Sequence, residues 1–457
     1  MELPVDFVNE MRETLPEGDA EKLFAAIRTE PSVSIRLNPF KPIAPDELLA
    51  RSEISASERV EWSPLGMYLN ERPSFTMNPL FHAGAFYVQE ASSMFVEQAI
   101  RACVNGPVRV LDLCAAPGGK STHLRTILPK GSVLVANEIN RSRANVLAEN
   151  LVKWGHPEVV VTNDNPERIG DSSLLFDVIL VDAPCSGEGM FRKEPVAVSE
   201  WSLENVRMCA QRQREILRSV WPALRPGGHL IYSTCTYNRL EDEDNVLWIS
   251  EELGAEMIPV DIQDSWGITG DVTGQNLPVY HFFPHRTRGE GFFLALLRKE
   301  GEHYQGTSVR NSYKPAAEAN GIFREWIDAP DEYVFQECGD VVRVQPSASA
   351  DFMRQVSSEL HTLVCGVEVA ARKGRDWAPS HPIAMSRILR GDAFPSVEVS
   401  LQQALAYLHS ESIVLTDAPK GFVLLRYAGV PLGFVKNIGN RANNLYPQQW
   451  RIRKSVQ

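Results

Sequence analysis

The run Phe176-Asp177-Val178-Ile179-Leu180-Val181-Asp182-Ala183-Pro184-Cys185-Ser186-Gly187 decides how this chain is read. Six mostly apolar residues change abruptly to Asp, Pro, Ser and Gly, which describes a buried strand ending in a tight polar loop. Gly228-His229-Leu230-Ile231-Tyr232-Ser233-Thr234-Cys235-Thr236 has the same form. In an open α/β sheet, ligands bind beyond the carboxyl ends of the strands. Two strands that each deliver a cysteine to that edge point to a two-thiol site. A lone cysteine is more often a small core residue. Here both cysteines follow strand ends in Ser/Thr/Gly surroundings, which favours chemistry.

Outward from these motifs, strands alternate with helices. Strands are expected at Val108–Leu113, Ser132–Ala136, Val159–Thr162, Phe176–Val181, Gly228–Tyr232, Ala255–Val260 and Gly291–Leu297. Helices are expected at Lys120–Ile127, Arg141–Trp154, Ser202–Ala223 and Glu241–Glu252. The pattern predicts a seven-stranded, doubly wound, Rossmann-like α/β core over residues 86–300. The last two strands form a hairpin-like pair and put one antiparallel strand at the edge of the sheet or inside it.

Residues 1–85 read as a small α/β module, with helices at Val5–Met11 and Asp19–Ile27, a strand closed by Asn38-Pro39 and a short helix after Pro45. Arg36 there is either a contact to phosphate or base, or part of a solvated strand edge. Tyr87 and Gln89 either face a substrate or serve as core and capping residues. A helix is expected over Ala91–Arg101. Composition turns polar from Glu300 to Tyr313, which reads as a linker. Residues 314–375 form an intermediate module with a helix from Phe352 to Leu363. Residues 376–457 form a β-rich module in which Gly421–Tyr427 pairs with Pro431–Lys436 across a glycine-containing turn.

At 457 residues the chain has room for two or three domains. No apolar run approaches the length of a membrane span, and the first residues lack the form of a signal peptide. A cytoplasmic protein is expected. The seven cysteines include no C-x-x-C pair, which disfavours zinc and thioredoxin-like redox chemistry. No metal is expected. Net charge is −12, but residues 372–457 hold twelve Lys/Arg against five Asp/Glu, leaving −19 on the rest. A basic tail on an acidic body suggests a grip on nucleic acid at one end.

The turn Asp112-Leu113-Cys114-Ala115-Ala116-Pro117-Gly118-Gly119-Lys120-Ser121 follows the first core strand and opens a helix. Its small residues let a ligand approach the backbone, and its glycine spacing fits neither a dinucleotide fingerprint nor a P-loop. Glu138, Asp164 and Asp182 follow the next three strands. An acid after the second strand can bind both ribose hydroxyls of a nucleoside. A sulfonium cofactor suits this acid-lined edge better than a nucleoside triphosphate, which points to S-adenosylmethionine. Carbon 5 of a pyrimidine is a poor nucleophile until a thiolate adds at carbon 6. The two thiols therefore suit methyl transfer to that carbon through covalent catalysis, on a base that is extruded or single-stranded.

Cys114 to Lys120, Asp182 to Gly187 and Ser233 to Thr236 resemble the signature motifs of the Sun/Nop family of RNA 5-methylcytosine methyltransferases. Ser34–Pro39 and Phe86–Glu90 fit family segments ahead of the core. Gly433–Lys436 and Asn443–Pro447 resemble the PUA-like end of the bacterial RsmF-like branch. The resemblance implies that Cys235 is the nucleophile and that Cys185 helps release the product. It further implies that Cys114, Ala115, Ala116, Pro117, Gly118, Gly119, Lys120, Glu138, Asp164 and Asp182 line the cofactor site. Lys120 and Asp182 would also stand close to the reacting base. Glu138 departs from the Asp of many members. The implied partner is RNA, naked small-subunit ribosomal RNA or the assembled subunit, with no membrane partner and a monomeric protein. A tRNA methyltransferase, a DNA cytosine methyltransferase and a non-catalytic ribosome-assembly factor are the alternatives.

Overall fold

The computed structural model describes residues 2–301 and 320–453. A nine-stranded mixed sheet lies at the centre. Its strands are β1 (Arg109–Asp112), β2 (Val133–Asn137), β3 (Val159–Thr162), β4 (Phe176–Asp182), β5 (Leu224–Thr234), β6 (Ala255–Ile258), β7 (Val279–Phe282), β8 (Phe292–Lys299) and β9 (Thr362–Cys365). Their order is β6-β8-β5-β4-β1-β2-β3-β9, with β7 also paired to β8. Strands β1 to β5 are mutually parallel. Strand β8 runs antiparallel to them, inside the sheet between β5 and β6.

All seven expected strands are present. The two additional strands have local explanations. β7 is only four residues long and carries His281 at its centre, so its pattern is weak. β9 lies where a continuous helix was expected to Leu363. That helix spans Ala350–Glu359, and Leu360 then turns extended, with φ −115 and ψ 155. The expected division at residue 375 falls within a hairpin of Val367–Lys373 with Asp376–Pro379. The linker expected at 300–313 lies outside the described residues from 302 onward.

Alternation along the inner strands supplies both faces of the sheet with apolar groups. Leu111, Val135, Val160, Ile179 and Val181 enter one core. Val110, Leu134, Val161, Val178 and Leu180 enter the other. Strands buried on both sides read as unbroken Val/Ile/Leu runs for this reason. Among the described residues, no helix is long and apolar enough to cross a membrane.

The first 90 residues pack in two places. Helices Val5–Thr14 and Asp19–Ile27 lie against the central α/β core, where Phe7 meets Phe191 and Trp201 with ring centroids 5.1 and 5.8 Å apart. A four-stranded antiparallel sheet follows, in the order Ala56–Val60, Ser63–Leu69, Val33–Leu37 and Phe86–Val88. Its apolar face shares one core with the last module: Ile35, Leu37 and Phe86 pack with Tyr407, Val423 and Tyr446. In that last module Gly421–Tyr427 pairs with Val430–Asn437 as expected.

Arg36 follows neither reading made from sequence. It is fully buried. Its guanidinium donates to Gln89 Oε1 at 2.7 Å and Thr122 Oγ1 at 2.6 Å, and lies 4.5 Å from the Trp154 ring centroid. It therefore joins the first module to the helix after the glycine-rich turn. Gln89 is its acceptor, and Tyr87 sits 3.4 Å from where a Cβ on Gly119 would lie. Gln89 thus serves the core, and Tyr87 stands half-buried against the glycine-rich turn. Arg36→Ala should lower stability by roughly 2–4 kcal/mol, because it leaves buried acceptors unpaired. The urea midpoint reads this, and an unchanged midpoint would contradict the joining role.

Candidate active site

Asp182 and Ser233 are register partners at the ends of β4 and β5. Ser233 Oγ donates to Asp182 Oδ1 at 2.8 Å. Lys120, in the first turn of helix Gly119–Ile127, bonds the other carboxylate oxygen at 2.8 Å. Beyond these strand ends, the sulfurs of Cys185 and Cys235 face each other at 3.1 Å. The hydrogen bond to Cys235, followed by burial, pushes the Cys185 thiol well above its ordinary range. Its surroundings thus favour the Cys185 thiol form. Burial works against the Lys120 ammonium, but Asp182 and the nearby Cys235 sulfur together hold it above its usual value.

Asp182, Cys185 and Cys235 line one cleft of about 790 Å³ together with Cys114, Ala116 and Glu138. Gly118 has φ +113, and an added Cβ would stand 3.3 Å from Leu147. That backbone conformation favours glycine and turns the chain into the helix. Arg143 donates to Ala116 O at 2.9 Å and Asn150 to Pro117 O at 2.8 Å, which pins the turn from outside. Glu138 is buried, accepts from Asn140 N at 2.9 Å and lies 3.5 Å from Arg143. Asp164 is placed differently. Its carboxylate accepts from His361 N at 2.7 Å and pairs with Arg168 at 3.3 Å. It secures the segment leading into β9. Small residues at the turn and a carboxylate at the next strand end fit a nucleoside cofactor. Among the described residues, no cluster of three His, Cys, Asp or Glu is placed to hold a metal ion.

Three family models match the chain. They are 16S rRNA methyltransferase RsmB/F over residues 103–298, the N-terminal domain of 16S rRNA methyltransferase RsmF over 3–91, and the methyltransferase RsmF PUA domain over 394–452. Ribosomal RNA small subunit methyltransferase F of Enterobacter sp. (strain 638) is 32% identical over 471 residues, covering 98% of this chain and 95% of the relative. The protein of that name from Escherichia coli O127:H6 is 32% identical over 479 residues, covering 98% and 96%. The chain belongs to the ribosomal RNA small subunit methyltransferase F family. Among solved structures, a methyltransferase homolog protein from Pyrococcus horikoshii is 25% identical with TM-score 0.52, covering 65% of this chain and all of that one. NSun6 from Pyrococcus horikoshii with SFG shares the fold at 21% identity and TM-score 0.57, covering 65% and 99%. This RsmF-family chain is thus an RNA methyltransferase, with a Rossmann-like core and a PUA-like end.

Sequence reasoning missed the buried acids behind the RsmF-family cysteine loops. Glu188, Glu241, Asp242 and Glu243 are all fully buried. The last three look in sequence like the acidic first turn of a surface helix. The polar residues around them, such as Asn238 and Gln213, were the only signal. Burial pushes the Glu188 carboxyl up to about 8, although it accepts from Tyr237 N, Trp201 Nε1 and Asn238 Nδ2.

Asp112 offers a pH test. Burial pushes its carboxyl up to about 7, partly offset by the hydrogen bond from Ser121. In the unfolded chain it ionises near its ordinary value of 3.8. The folded state therefore keeps a proton that the unfolded state releases. Stability from the neutral group is complete below the unfolded value and is lost as pH rises to about 7. Relative to the natural chain, Asp112→Asn should gain roughly 2–4 kcal/mol between those limits and then level off. Urea midpoints measured against pH check this, and a pH-independent difference would contradict it.

Proposed function

We propose that this chain is an S-adenosylmethionine-dependent cytosine-C5 methyltransferase that forms 5-methylcytosine in small-subunit ribosomal RNA. The facing of Cys185 and Cys235 at 3.1 Å, beside the Lys120–Asp182 pair, is the observation that carries the reading. Cys114 to Lys120, Glu138 and Asp182 would hold the cofactor, which when bound supplies the electrophilic methyl group. Asp164 takes part by holding the wall of that pocket. The Cys235 thiolate adds at carbon 6 of the cytosine, forming the C6–S bond and making carbon 5 nucleophilic. Lys120 stands as the cationic neighbour of that sulfur. Asp182, fixed by Lys120 and Ser233, binds the N3/N4 edge of the base. After methyl transfer, the C5 proton leaves to water and its electron pair forms the C5–C6 double bond. The C6–S bond breaks, and Cys235 departs as the thiolate it began as, stabilised by a hydrogen bond from the Cys185 thiol. The basic PUA-like end contributes the electrostatic grip on RNA, and the protein acts as a cytoplasmic monomer.

Incubation with unmodified small-subunit ribosomal RNA and a labelled methyl donor should yield 5-methylcytidine on nucleoside mass spectrometry. Label found only on ribose or an exocyclic nitrogen would overturn the reading. Cys235→Ala should abolish transfer, whereas Cys185→Ala should accumulate a covalent protein–RNA adduct on denaturing gels. Affinity for that RNA should fall with salt on a log–log plot, with a slope reporting the phosphates neutralised. A flat line would remove the electrostatic role of the tail.

A further inference from the structure

Two adjacent acids meet the two cysteine loops separately. Glu241 accepts from Ser186 N at 3.1 Å, from Gln213 Nε2 at 2.6 Å and from Asn238 Nδ2 at 2.9 Å. Gln213 Nε2 also donates to Pro184 O at 3.0 Å. The backbone on both sides of Cys185 is thus tied to Glu241, directly at Ser186 and through Gln213 at Pro184. Asp242 Oδ1 accepts from Thr234 Oγ1 at 2.6 Å and Thr236 Oγ1 at 3.0 Å. Those two threonines flank Cys235.

Burying neighbouring carboxyl groups is unfavourable unless their bonds serve a purpose beyond packing. Here the bonds end on the residues either side of each sulfur. A reacting group must be held to a fraction of an ångström by the shell around it. Loops after strand ends lack the ladder bonds that hold the strands, so side-chain bonds must do this. The loops are also tied to each other, by Gly189 N to Cys235 O at 2.9 Å and by Tyr237 N and Asn238 Nδ2 to Glu188.

We propose that Glu241 and Asp242 are paired positioning residues, Glu241 for Cys185 and Asp242 for Cys235, which between them set the facing of the two sulfurs. This rests on the two-cysteine mechanism above and divides its steps. Loosening Cys185 slows rupture of the C6–S bond, because the thiol that hydrogen-bonds the departing sulfur drifts away from it. Loosening Cys235 slows formation of that bond. The two acids should therefore fail in opposite ways.

The test uses the full chain with unmodified small-subunit ribosomal RNA, naked and assembled into the subunit, and reads turnover and covalent adduct together. Glu241→Ala should lower kcat on the order of 10- to 100-fold and accumulate adduct. Asp242→Ala should lower turnover by a similar factor without adduct. Asp242→Asn, which keeps the oxygen that both threonines use, should restore most of the activity. Should either alanine variant fail to fold, Gln213→Leu and Thr236→Val loosen the same two loops from the other end of the bonds. They should give adduct and no adduct, respectively. Folded variants with the adduct pattern reversed, or with turnover equal to the natural chain, would overturn the assignment. Cys185→Ala runs alongside. If it traps adduct while the Glu241 and Gln213 variants do not, the positioning role falls and the mechanism stands. If it traps none, the mechanism falls and the assignment with it.

Discussion

Asp182 and Ser233 sit side by side because β4 and β5 are parallel neighbours in one fixed register. A slip of one residue would turn every side chain of β5 to the opposite face. The apolar alternation on both faces forbids that slip. Both loops consequently leave the sheet at the same height, and their cysteines meet. β4 also neighbours β1, so the glycine-rich turn after β1 opens beside Asp182. The strand order reverses between β1 and β4, which is where an open α/β sheet forms its crevice. Cofactor pocket and thiol pair are thus two sides of one topological feature.

The site's electrostatics follow from the same placement. Acids gather at the strand ends, and one buried lysine is set among them. Lys120 keeps its charge against burial because Asp182 is bonded to it. Lys120 in turn gives the Cys235 sulfur a cationic neighbour, while the surroundings of Cys185 favour its thiol form. Two chemically identical side chains become unequal through their surroundings alone.

Much of this was legible in the sequence because it is local. A strand, its end and the loop beyond it occupy ten contiguous residues, and the seven core strands announced themselves that way. What was hidden depends on distant partners. Arg36 looks like an exposed basic residue until Gln89 and Thr122 close around it. Asp164 also holds the backbone of His361, almost two hundred positions away, which nothing near it in the sequence announces. Glu241 and Asp242 look like ordinary helix-start acids, since nothing nearby in the sequence reveals that Ser186 or Thr234 will donate to them.

The core shared by the two ends of the chain has a consequence for biosynthesis. Translation proceeds from the first residue, and domains made early usually fold early. The sheet of residues 33–88 finishes its apolar face only against residues 397–452. That face emerges from the ribosome long before its cover exists. The catalytic core can close on its own sheet in the meantime, whereas the first module waits for the last. Truncation near the end of the chain would consequently be felt at the beginning, and a nascent chain stalled after the core would present a sticky apolar surface to chaperones.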